Sequence, residues 1–444
     1  MVSNSSQRSV ISGQDSGSRG QEPVGSGQKT DNGFYYYELN GRLLASLVER
    51  PELTLAVPRE AERVFFLTDG DPAKGRGSFR AAHPGQLAEP NGLNILDASR
   101  LPDLPLDETL SAALTAGKLT VVNCGRNGWE RMLKETPLPG KKRVNILAIG
   151  DVGATLMMGL KLLGGDVISQ IGICDIAPQL TARWEFEMGQ VALPWNYDAF
   201  PEVVVVPREE LFDCDVFVFV ASKGIPPVGS QVADVRLAQF GANAGLVCEY
   251  SHMAREQGFK GLWAAVSDPV DPLAKVAYMN SNLDDEGNWD GKGFLPEQVQ
   301  GFGLGVMNAR AAYYAKRDKR FESFLSKGRV FGPHGDGLWT ANSLTAYDDE
   351  LSRELTELTK TANLKMRELG FKPYAAPALS SGALSLLLTL RGEWHYGSVF
   401  MDNVYMGCKN RYTPYGIETE LLDGIPDALY AHLKEAVEKL KMII

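Results

Sequence analysis

The sequence predicts an α/β protein whose central domain is built on a doubly wound parallel sheet. Between residues 141 and 276, short apolar segments typical of buried strands alternate with segments of helical length. A glycine-containing turn, Gly150 to Gly153, joins the first of these strands to the helix that follows it. Strands that alternate with helices form βαβ units, which place neighbouring strands parallel to each other.

The residues before this pattern are different in composition. Residues 1–31 are rich in serine, glycine and glutamine and contain few apolar side chains, so we expect a disordered tail. The residues that follow have a globular composition, with strands expected at Val64–Leu67 and Leu119–Val122 and a helix at Asp107–Ala116. We interpret them as an accessory α/β region. It ends near Pro137–Gly140, where the sequence PLPG suits a domain boundary.

The central domain is predicted to contain five strands and three helices. Strands are expected at Arg143–Ile149, Val167–Cys174, Glu202–Val206, Cys214–Ala221 and Gly261–Val266. Helices are expected at Ala154–Leu163, Ala182–Val191 and Gly245–Gln257.

The C-terminal part mixes helices and strands and is predicted to be an α+β catalytic domain. Helical patterns cover Gln298–Lys316, Tyr347–Leu369 and Ile425–Lys441. Strand-forming residues with a turn at Asp402 and Asn403 cover Gly397–Met406. The predicted division is therefore 1–31, 32–140, 141–276 and 277–444.

Composition excludes several classes of partner. The 444 residues carry a formal charge of −10, so neither nucleic acid nor an anionic membrane is an expected partner. The five cysteines are widely spaced and form no C-x-x-C pair, which argues against a disulfide framework or a structural zinc site. The longest apolar runs are too short to span a bilayer, and the N-terminus lacks the apolar core of a signal peptide. We expect a cytoplasmic protein with no metal site.

The segment A-I-G-D-V-G, Ala148 to Gly153, has the pattern of a dinucleotide-binding turn. Gly150 allows the backbone to approach a pyrophosphate, and Gly153 allows the helix to pack closely on the strand. Asp175 ends the next strand, 25 residues after Gly150, near the interval of roughly 20 residues expected for a carboxylate on the ribose hydroxyls. Such a carboxylate repels a 2′-phosphate, so the predicted cofactor is NAD and the domain is predicted to be of Rossmann type. Ala148 departs from the usual fingerprint, which has glycine there.

Six segments in the same order along the chain resemble the lactate/malate dehydrogenase family, over about Lys142 to Leu440. They are Asn145–Leu156 (NILAIGDVGATL), Asp213–Pro226 (DCDVFVFVASKGIP), Arg236–Ala244, Val266–Leu273 (VSDPVDPL), Gly301–Arg310 (GFGLGVMNAR) and Val330–Gly337. The resemblance implies a two-domain body that commonly assembles into homodimers or tetramers.

The resemblance also implies roles for individual residues. His334, in the segment VFGPHGDGLW, matches the acid/base that exchanges a proton with the substrate; taken alone, it would be a histidine satisfied in a turn. Arg310 matches the arginine that grips the substrate carboxylate, and Arg236 the mobile-loop arginine that polarises the reacting carbonyl; otherwise they are surface charges. Ser381 is placed by position in the substrate pocket. The implied cofactor contacts are Gly150, Asp151, Val152, Gly153, Asp175, Ala221, Gly224, Asn243 and Val266.

The sequence departs from the family pattern at two implied active-site positions. Met307 stands where the family has the aspartate that orients the histidine, and a thioether cannot stabilise an imidazolium. Asp268, also a predicted catalytic residue, stands where the family has an asparagine whose amide binds the substrate oxygen. A carboxylate there repels a keto oxygen but attracts an ammonium or iminium. The loop after Ile225-Pro226 lacks the second arginine of malate enzymes, which disfavours a C4 dicarboxylate.

Together these features predict NAD-dependent oxidoreduction of a small 2-hydroxy or 2-oxo acid, with a small-molecule carboxylate as substrate. One alternative is a catalytically relaxed or repurposed member with a binding or assembly role, because Met307 and Asp268 depart from the pattern. Another is NAD-dependent glycoside hydrolysis on a related fold, which needs a metal-binding Cys/His pair that the sequence does not show.

Overall fold

The computed structural model describes residues 29–133, 140–223 and 235–444, and it describes only the backbone of residues 235–239. Residues 1–28 of the predicted tail lie outside the described residues, as does the predicted boundary segment apart from Gly140. The four predicted domain limits therefore stay a prediction. Among the helices that the structure describes, none combines the length and the hydropathy needed to cross a membrane.

The N-terminal part forms a six-stranded sheet with the strand order β3-β1-β2-β4-β6-β5. Its strands are β1 (Tyr35–Leu39), β2 (Arg42–Ser46), β3 (Thr54–Leu55), β4 (Val64–Thr68), β5 (Ser78–Arg80) and β6 (Leu119–Asn123). Its helices are α1 (Gly85–Ala88) and α2 (Glu108–Thr115). Strands β2, β4 and β6 run parallel, while the edge strand β5 runs antiparallel to β6. The sequence predicted β4, β6 and α2 but missed β1, β2, β3, β5 and α1.

Six parallel strands form the core of a second, nine-stranded sheet. They are β7 (Lys142–Leu147), β8 (Ile168–Cys174), β9 (Glu202–Val205), β10 (Val216–Phe219), β11 (Leu262–Ala265) and β12 (Val299–Gly301). Their spatial order is β9-β8-β7-β10-β11-β12, so the strand order reverses between β7 and β10. In sheets with this order a dinucleotide binds at the carboxyl ends of the two strands that flank the reversal. The predicted Rossmann-type sheet is confirmed.

Both faces of the parallel sheet are covered by helices. These are α3 (Asp151–Leu163), α4 (Pro178–Gly189), α5 (Val235–Glu256), α6 (Val270–Ser281) and α7 (Leu304–Ala315). On β10, Val216 and Val218 enter one hydrophobic core while Phe217 and Phe219 enter the other. Strands buried on both faces are apolar throughout, which is why β10 is an uninterrupted apolar run in the sequence.

The C-terminal residues extend the same sheet and cover one end of it. They contain α8 (Phe324–Lys327), β13 (Arg329–Phe331), β14 (Trp339–Ala341), α9 (Asp349–Glu368), α10 (Ser385–Arg391), β15 (His395–Met401), β16 (Val404–Thr413), β17 (Gly416–Thr419) and α11 (Asp427–Lys441). Strands β15 to β17 are antiparallel and continue the sheet beyond β12. Asp402 and Asn403 form the predicted hairpin turn, both with positive φ.

One predicted helix was wrong in part. The segment Gln298–Lys316 was predicted to be helical throughout, but it begins with strand β12, and α7 starts only at Leu304. An ideal Cβ on Gly301 would lie 2.8 Å from a Val270 methyl carbon and 2.9 Å from the Ser398 Cβ. This packing between α6 and β15 fixes the three residues as a strand, and no local sequence pattern shows it.

Candidate active site

The glycine-containing turn connects β7 to α3 at the carboxyl edge of the parallel sheet. Gly150 is the N-cap of α3 and no side chain caps the helix; a Cβ added there would meet no atom within 4 Å. At Gly153 an ideal Cβ would lie 2.0 Å from the carbonyl oxygen of Ala148. The N-terminus of α3 therefore has no side-chain cap and has open space beside Gly150, while Gly153 permits the turn to close tightly.

Three neighbours of these glycines also belong to the predicted turn. Asp151 and Val152 were predicted to contact the cofactor, and Ala148 departs from the glycine fingerprint. Ala148, where the fingerprint has glycine, adopts a left-handed backbone with φ of 76°. Asp151 is exposed in the first turn of α3, and its Oδ2 accepts a hydrogen bond from Lys372 Nζ at 2.9 Å. Val152 is half-buried and packs against the core beside β7. The backbone of Ala148 explains why glycine is usual at that position.

Asp175 follows β8 and lies beside the turn. Its Oδ2 accepts a hydrogen bond from the Ile149 amide at 2.8 Å, and its Oδ1 accepts one from the Ala177 amide at 3.0 Å. The carboxylate thus braces the glycine turn while remaining half-buried at the strand end. These features together fit a dinucleotide, with amide donors for the phosphates and a carboxylate for the ribose.

The loop after β10, a strand that flanks the reversal of strand order, meets the loop after the neighbouring strand β11. The buried side chain of Asn243 joins them: its Oδ1 accepts from the Lys223 amide at 3.0 Å and its Nδ2 donates to the Asp268 carbonyl at 2.8 Å. The Ala221 carbonyl accepts from the Ser267 hydroxyl at 2.7 Å, and Val266 follows β11 directly. The structure thus brings Ala221, Asn243 and Val266 to one edge.

The contacts of two further predicted site residues at this edge of the sheet are not described. Gly224 lies outside the described residues. Arg236 lies in the first turn of α5, and only its backbone is described.

His334 lies in the loop between β13 and β14, and its ring is held by the main chain. Nδ1 lies 2.7 Å from the carbonyl oxygen of Gly303, the residue before α7. Because a carbonyl oxygen only accepts hydrogen bonds, Nδ1 carries the proton in the neutral ring, and Nε2 keeps a lone pair. An ideal Cβ on Gly303 would lie 2.7 Å from the His334 Cβ, so this contact requires glycine.

A buried carboxylate fixes the backbone of His334. Oδ2 of Asp271 accepts a hydrogen bond from the His334 amide at 3.0 Å, and Oδ1 accepts one from the Ser398 hydroxyl. Burial raises the pKa of Asp271 to about 6, although these hydrogen bonds favour its charged form. Asp271 lies in the VSDPVDPL segment, but its role was not predicted.

Asp268 lies on the Nε2 side of His334, and Arg310 lies close enough to Asp268 for the charges to interact. Asp268 Oδ1 is 4.0 Å from His334 Nε2, and its side chain is 51% exposed. Arg310 is half-buried, and burial lowers the pKa of its guanidinium while the charge of Asp268 raises it. Its Nη1 lies 3.7 Å from the sulfur of Met307, and it has no ion pair within 4.0 Å among the described residues. A half-buried guanidinium without a carboxylate partner is suited to a bound carboxylate.

Ser381 lies behind this group, in a π-helical segment from Pro377 to Leu384. Its hydroxyl donates to the Gly303 carbonyl at 2.7 Å and accepts from the Val306 amide at 2.8 Å. Ser381 is buried, so it braces the carbonyl that holds His334. Neither Gly303 nor the π-helix was predicted; the glycine-rich segment GFGLG was the available signal for the first.

The described residues contain no cluster of three or more histidine, cysteine, aspartate or glutamate side chains that could hold a metal ion.

No family model matches the chain. It is similar to an L-lactate dehydrogenase of Mesomycoplasma hyopneumoniae, with 26% identity over 204 residues, 45% of this chain and 58% of the relative. It is also similar to L-lactate dehydrogenase 1 of Bifidobacterium longum, with 26% identity over 203 residues, 45% of this chain and 57% of the relative.

Solved structures show the same fold. The minor L-lactate dehydrogenase of Enterococcus mundtii matches with a TM-score of 0.54 and 17% identity, over 68% of this chain and 97% of that one. The malate dehydrogenase of Archaeoglobus fulgidus in complex with NADH matches with a TM-score of 0.55 and 17% identity, over 68% and 98%. The chain spans less than two thirds of these two curated relatives. At this modest identity, the resemblance to the lactate/malate dehydrogenase family is confirmed.

Proposed function

We propose that the chain is an NAD-dependent oxidoreductase that acts on a small 2-hydroxy or 2-oxo acid. One observation carries this proposal: the imidazole of His334 is fixed through Nδ1 by Gly303, and its Nε2 faces Asp268 beside the unpaired guanidinium of Arg310. An acid/base, a cation for a carboxylate and a dinucleotide-type turn on one sheet are what hydride transfer to a 2-oxo acid requires.

The cofactor is proposed to lie across the edge where the strand order reverses. The residues proposed to hold it are Gly150, Asp151, Val152, Gly153, Asp175, Ala221, Gly224, Asn243 and Val266. When bound, NAD accepts or supplies the hydride at C2 of the substrate. The carboxylate of Asp175 favours NAD over a cofactor with a 2′-phosphate, because it would repel the added charge.

His334 is proposed to move the proton. In the oxidative direction Nε2 takes the proton from the substrate hydroxyl, and in the reductive direction the imidazolium returns it. Arg310 binds the substrate carboxylate through two hydrogen bonds, and Arg236 polarises the carbonyl from the loop end of α5. Ser381 acts through Gly303 by keeping the histidine in place.

The setting of the protein is part of the same proposal. All five cysteines are free thiols, which is compatible with a cytoplasmic protein. A homodimer or tetramer is proposed from the family resemblance.

The alternative is a protein that keeps the fold but has lost catalysis, with a role in binding or assembly. The specific observation behind it is Met307, which contacts Arg310 at the position where the family places the histidine's carboxylate partner.

Two measurements test the proposal. Calorimetry should show that NADH binds, and NADH oxidation should be observed with members of a 2-oxo acid panel, measured with and without ammonium. His334→Ala should then lower kcat about 100-fold or more. Arg310→Lys, which keeps the charge but loses the planar fork, should mainly raise KM. Failure to bind NADH would refute the proposal, and NADH binding without turnover under either condition would favour the alternative.

A further inference from the structure

The carboxylate of Asp268 lies on the reacting side of the His334 ring. Oδ1 is 4.0 Å from Nε2, the nitrogen that keeps its lone pair, and the side chain is half exposed to the cleft. The backbone is fixed, because the Asp268 carbonyl accepts a hydrogen bond from Asn243 Nδ2. Within the described part of the chain, the Asp268 side chain makes no hydrogen bond that would use its charge. Its negative charge is therefore available to a molecule that binds beside Nε2.

An atom that exchanges a proton with Nε2 must approach it to about 3 Å, and one that approaches from the side of Asp268 lies close to its carboxylate as well. A 2-oxo acid under reduction gains negative charge on its carbonyl oxygen at this point, and a carboxylate opposes that charge. A protonated nitrogen at the same point carries positive charge, which the carboxylate stabilises.

The charges beside His334 match a zwitterion. Arg310 offers an unpaired positive group, and Asp268 offers a negative group close enough for its charge to act on Arg310. A 2-amino acid carries a carboxylate and an ammonium on neighbouring carbons, so it satisfies both groups at once. A 2-hydroxy acid satisfies only Arg310.

We propose that the substrate carries nitrogen at C2, so that the site interconverts a 2-amino acid and its 2-iminium acid; this inference rests on the proposed function. In the oxidative direction the ammonium gives a proton to His334 Nε2, and the C2–H bond breaks. The hydride passes to oxidised nicotinamide dinucleotide as a double bond forms between C2 and nitrogen. Water then adds to C2 and ammonium leaves, which yields the 2-oxo acid. The reverse direction consumes the 2-oxo acid, ammonium and reduced nicotinamide dinucleotide.

Binding of matched ligand pairs tests this directly. Each pair consists of a 2-amino acid and the 2-hydroxy acid with the same side chain and configuration, beginning with both enantiomers of alanine and lactate and extending to larger side chains. Kd is measured by calorimetry on the full chain saturated with NADH, so that no turnover occurs. We expect the amino member to bind about 100-fold more tightly. The attraction between two unit charges about 4 Å apart near a protein surface lowers Kd roughly a thousandfold, and the exposure of Asp268 to water reduces this gain.

Three variants separate the contributions to this preference. Asp268→Asn, which keeps the shape, should abolish or reverse it. Arg310→Gln should weaken both members of a pair equally, since both carry the carboxylate. Asp336→Asn removes an exposed carboxylate two residues from His334 and should leave the preference unchanged.

The outcomes distinguish this inference from the function on which it rests. Preference for the hydroxy member, or a preference that Asp268→Asn does not change, overturns the nitrogen substrate and leaves the dehydrogenase proposal standing. The same holds if NADH oxidation by 2-oxo acids is fast without ammonium and gains nothing from it. If NADH binds but neither member of any pair binds to the wild type or to Asp268→Asn, both proposals are overturned.

Discussion

Replacing Glu297 by glutamine should remove a pH-dependent loss of stability. Glu297 lies in the turn before β12 and is 8% exposed, and its Oε1 accepts a hydrogen bond from the Gly77 amide at 2.7 Å. It therefore joins the N-terminal sheet to the nine-stranded sheet. Burial raises the pKa of this carboxyl from 4.5 to about 7.

The size and sign of the effect follow from proton linkage. Between pH 4.5 and 7 the folded chain holds a proton on Glu297 that the unfolded chain has released. The free energy of unfolding therefore falls as pH rises through this window, by about 3 kcal/mol at 1.36 kcal/mol per pKa unit. Glutamine keeps the acceptor for Gly77 and does not ionise, so Glu297→Gln lacks this fall.

Urea unfolding followed by tryptophan fluorescence, at pH values from 4.5 to 8, measures the difference between wild type and variant. Glu297→Gln should gain about 3 kcal/mol relative to wild type between the two ends of this range. Glu286→Gln, in an exposed loop, serves as the control and should gain nothing. A difference between Glu297→Gln and wild type that stays constant with pH would show that the carboxyl is charged throughout and that the reasoning is wrong.

Three further substitutions follow from the structure. Ala148→Gly should raise the free energy of unfolding by up to about 1 kcal/mol, because glycine adopts the observed left-handed backbone without strain; thermal unfolding checks this, and NADH affinity should not fall. Burial lowers the pKa of His395 to about 4, so the unfolded chain takes up a proton below about pH 6.5 that the folded chain does not. Stability should therefore fall as pH drops from 6.5 to 4 by about 3 kcal/mol, and His395→Gln should remove this fall in acid-unfolding curves. Ser381→Ala leaves the Val306 amide without its acceptor and the Gly303 carbonyl with one donor fewer, so it should cost about 1–3 kcal/mol in chemical denaturation.

The parts of the fold that the sequence predicted are those set by local patterns. The β7–α3–β8 unit has an apolar strand, a glycine turn required by close packing at Gly153, and an acid at the next strand end. Strand β12 is only three residues long, and its identity depends on packing against α6 and β15. Contacts of this kind join distant segments, so a window of neighbouring residues does not contain them.

The candidate site shows the same limit. The sequence pointed to His334, Arg310 and Asp268, and the structure brings these three together. The sequence alone could not show that Gly303 holds the imidazole, because the acceptor is a main-chain carbonyl, which every residue has. Roles for Gly224 and the Arg236 side chain stay predictions.

The two departures from the family pattern are best understood together. The resemblance places a carboxylate behind the histidine, at the position of Met307, and a neutral amide in front of it, at the position of Asp268. This chain has one carboxylate and one neutral side chain at the same two positions, in exchanged places. The charge next to the ring is therefore kept, but it now faces the substrate side at Nε2, while the Gly303 carbonyl binds Nδ1. A carboxylate on either side of the ring can stabilise an imidazolium, whereas only a carboxylate on the Nε2 side acts on a substrate atom. Under the proposed function, the exchange leaves proton transfer possible and changes which substrate charge the site favours.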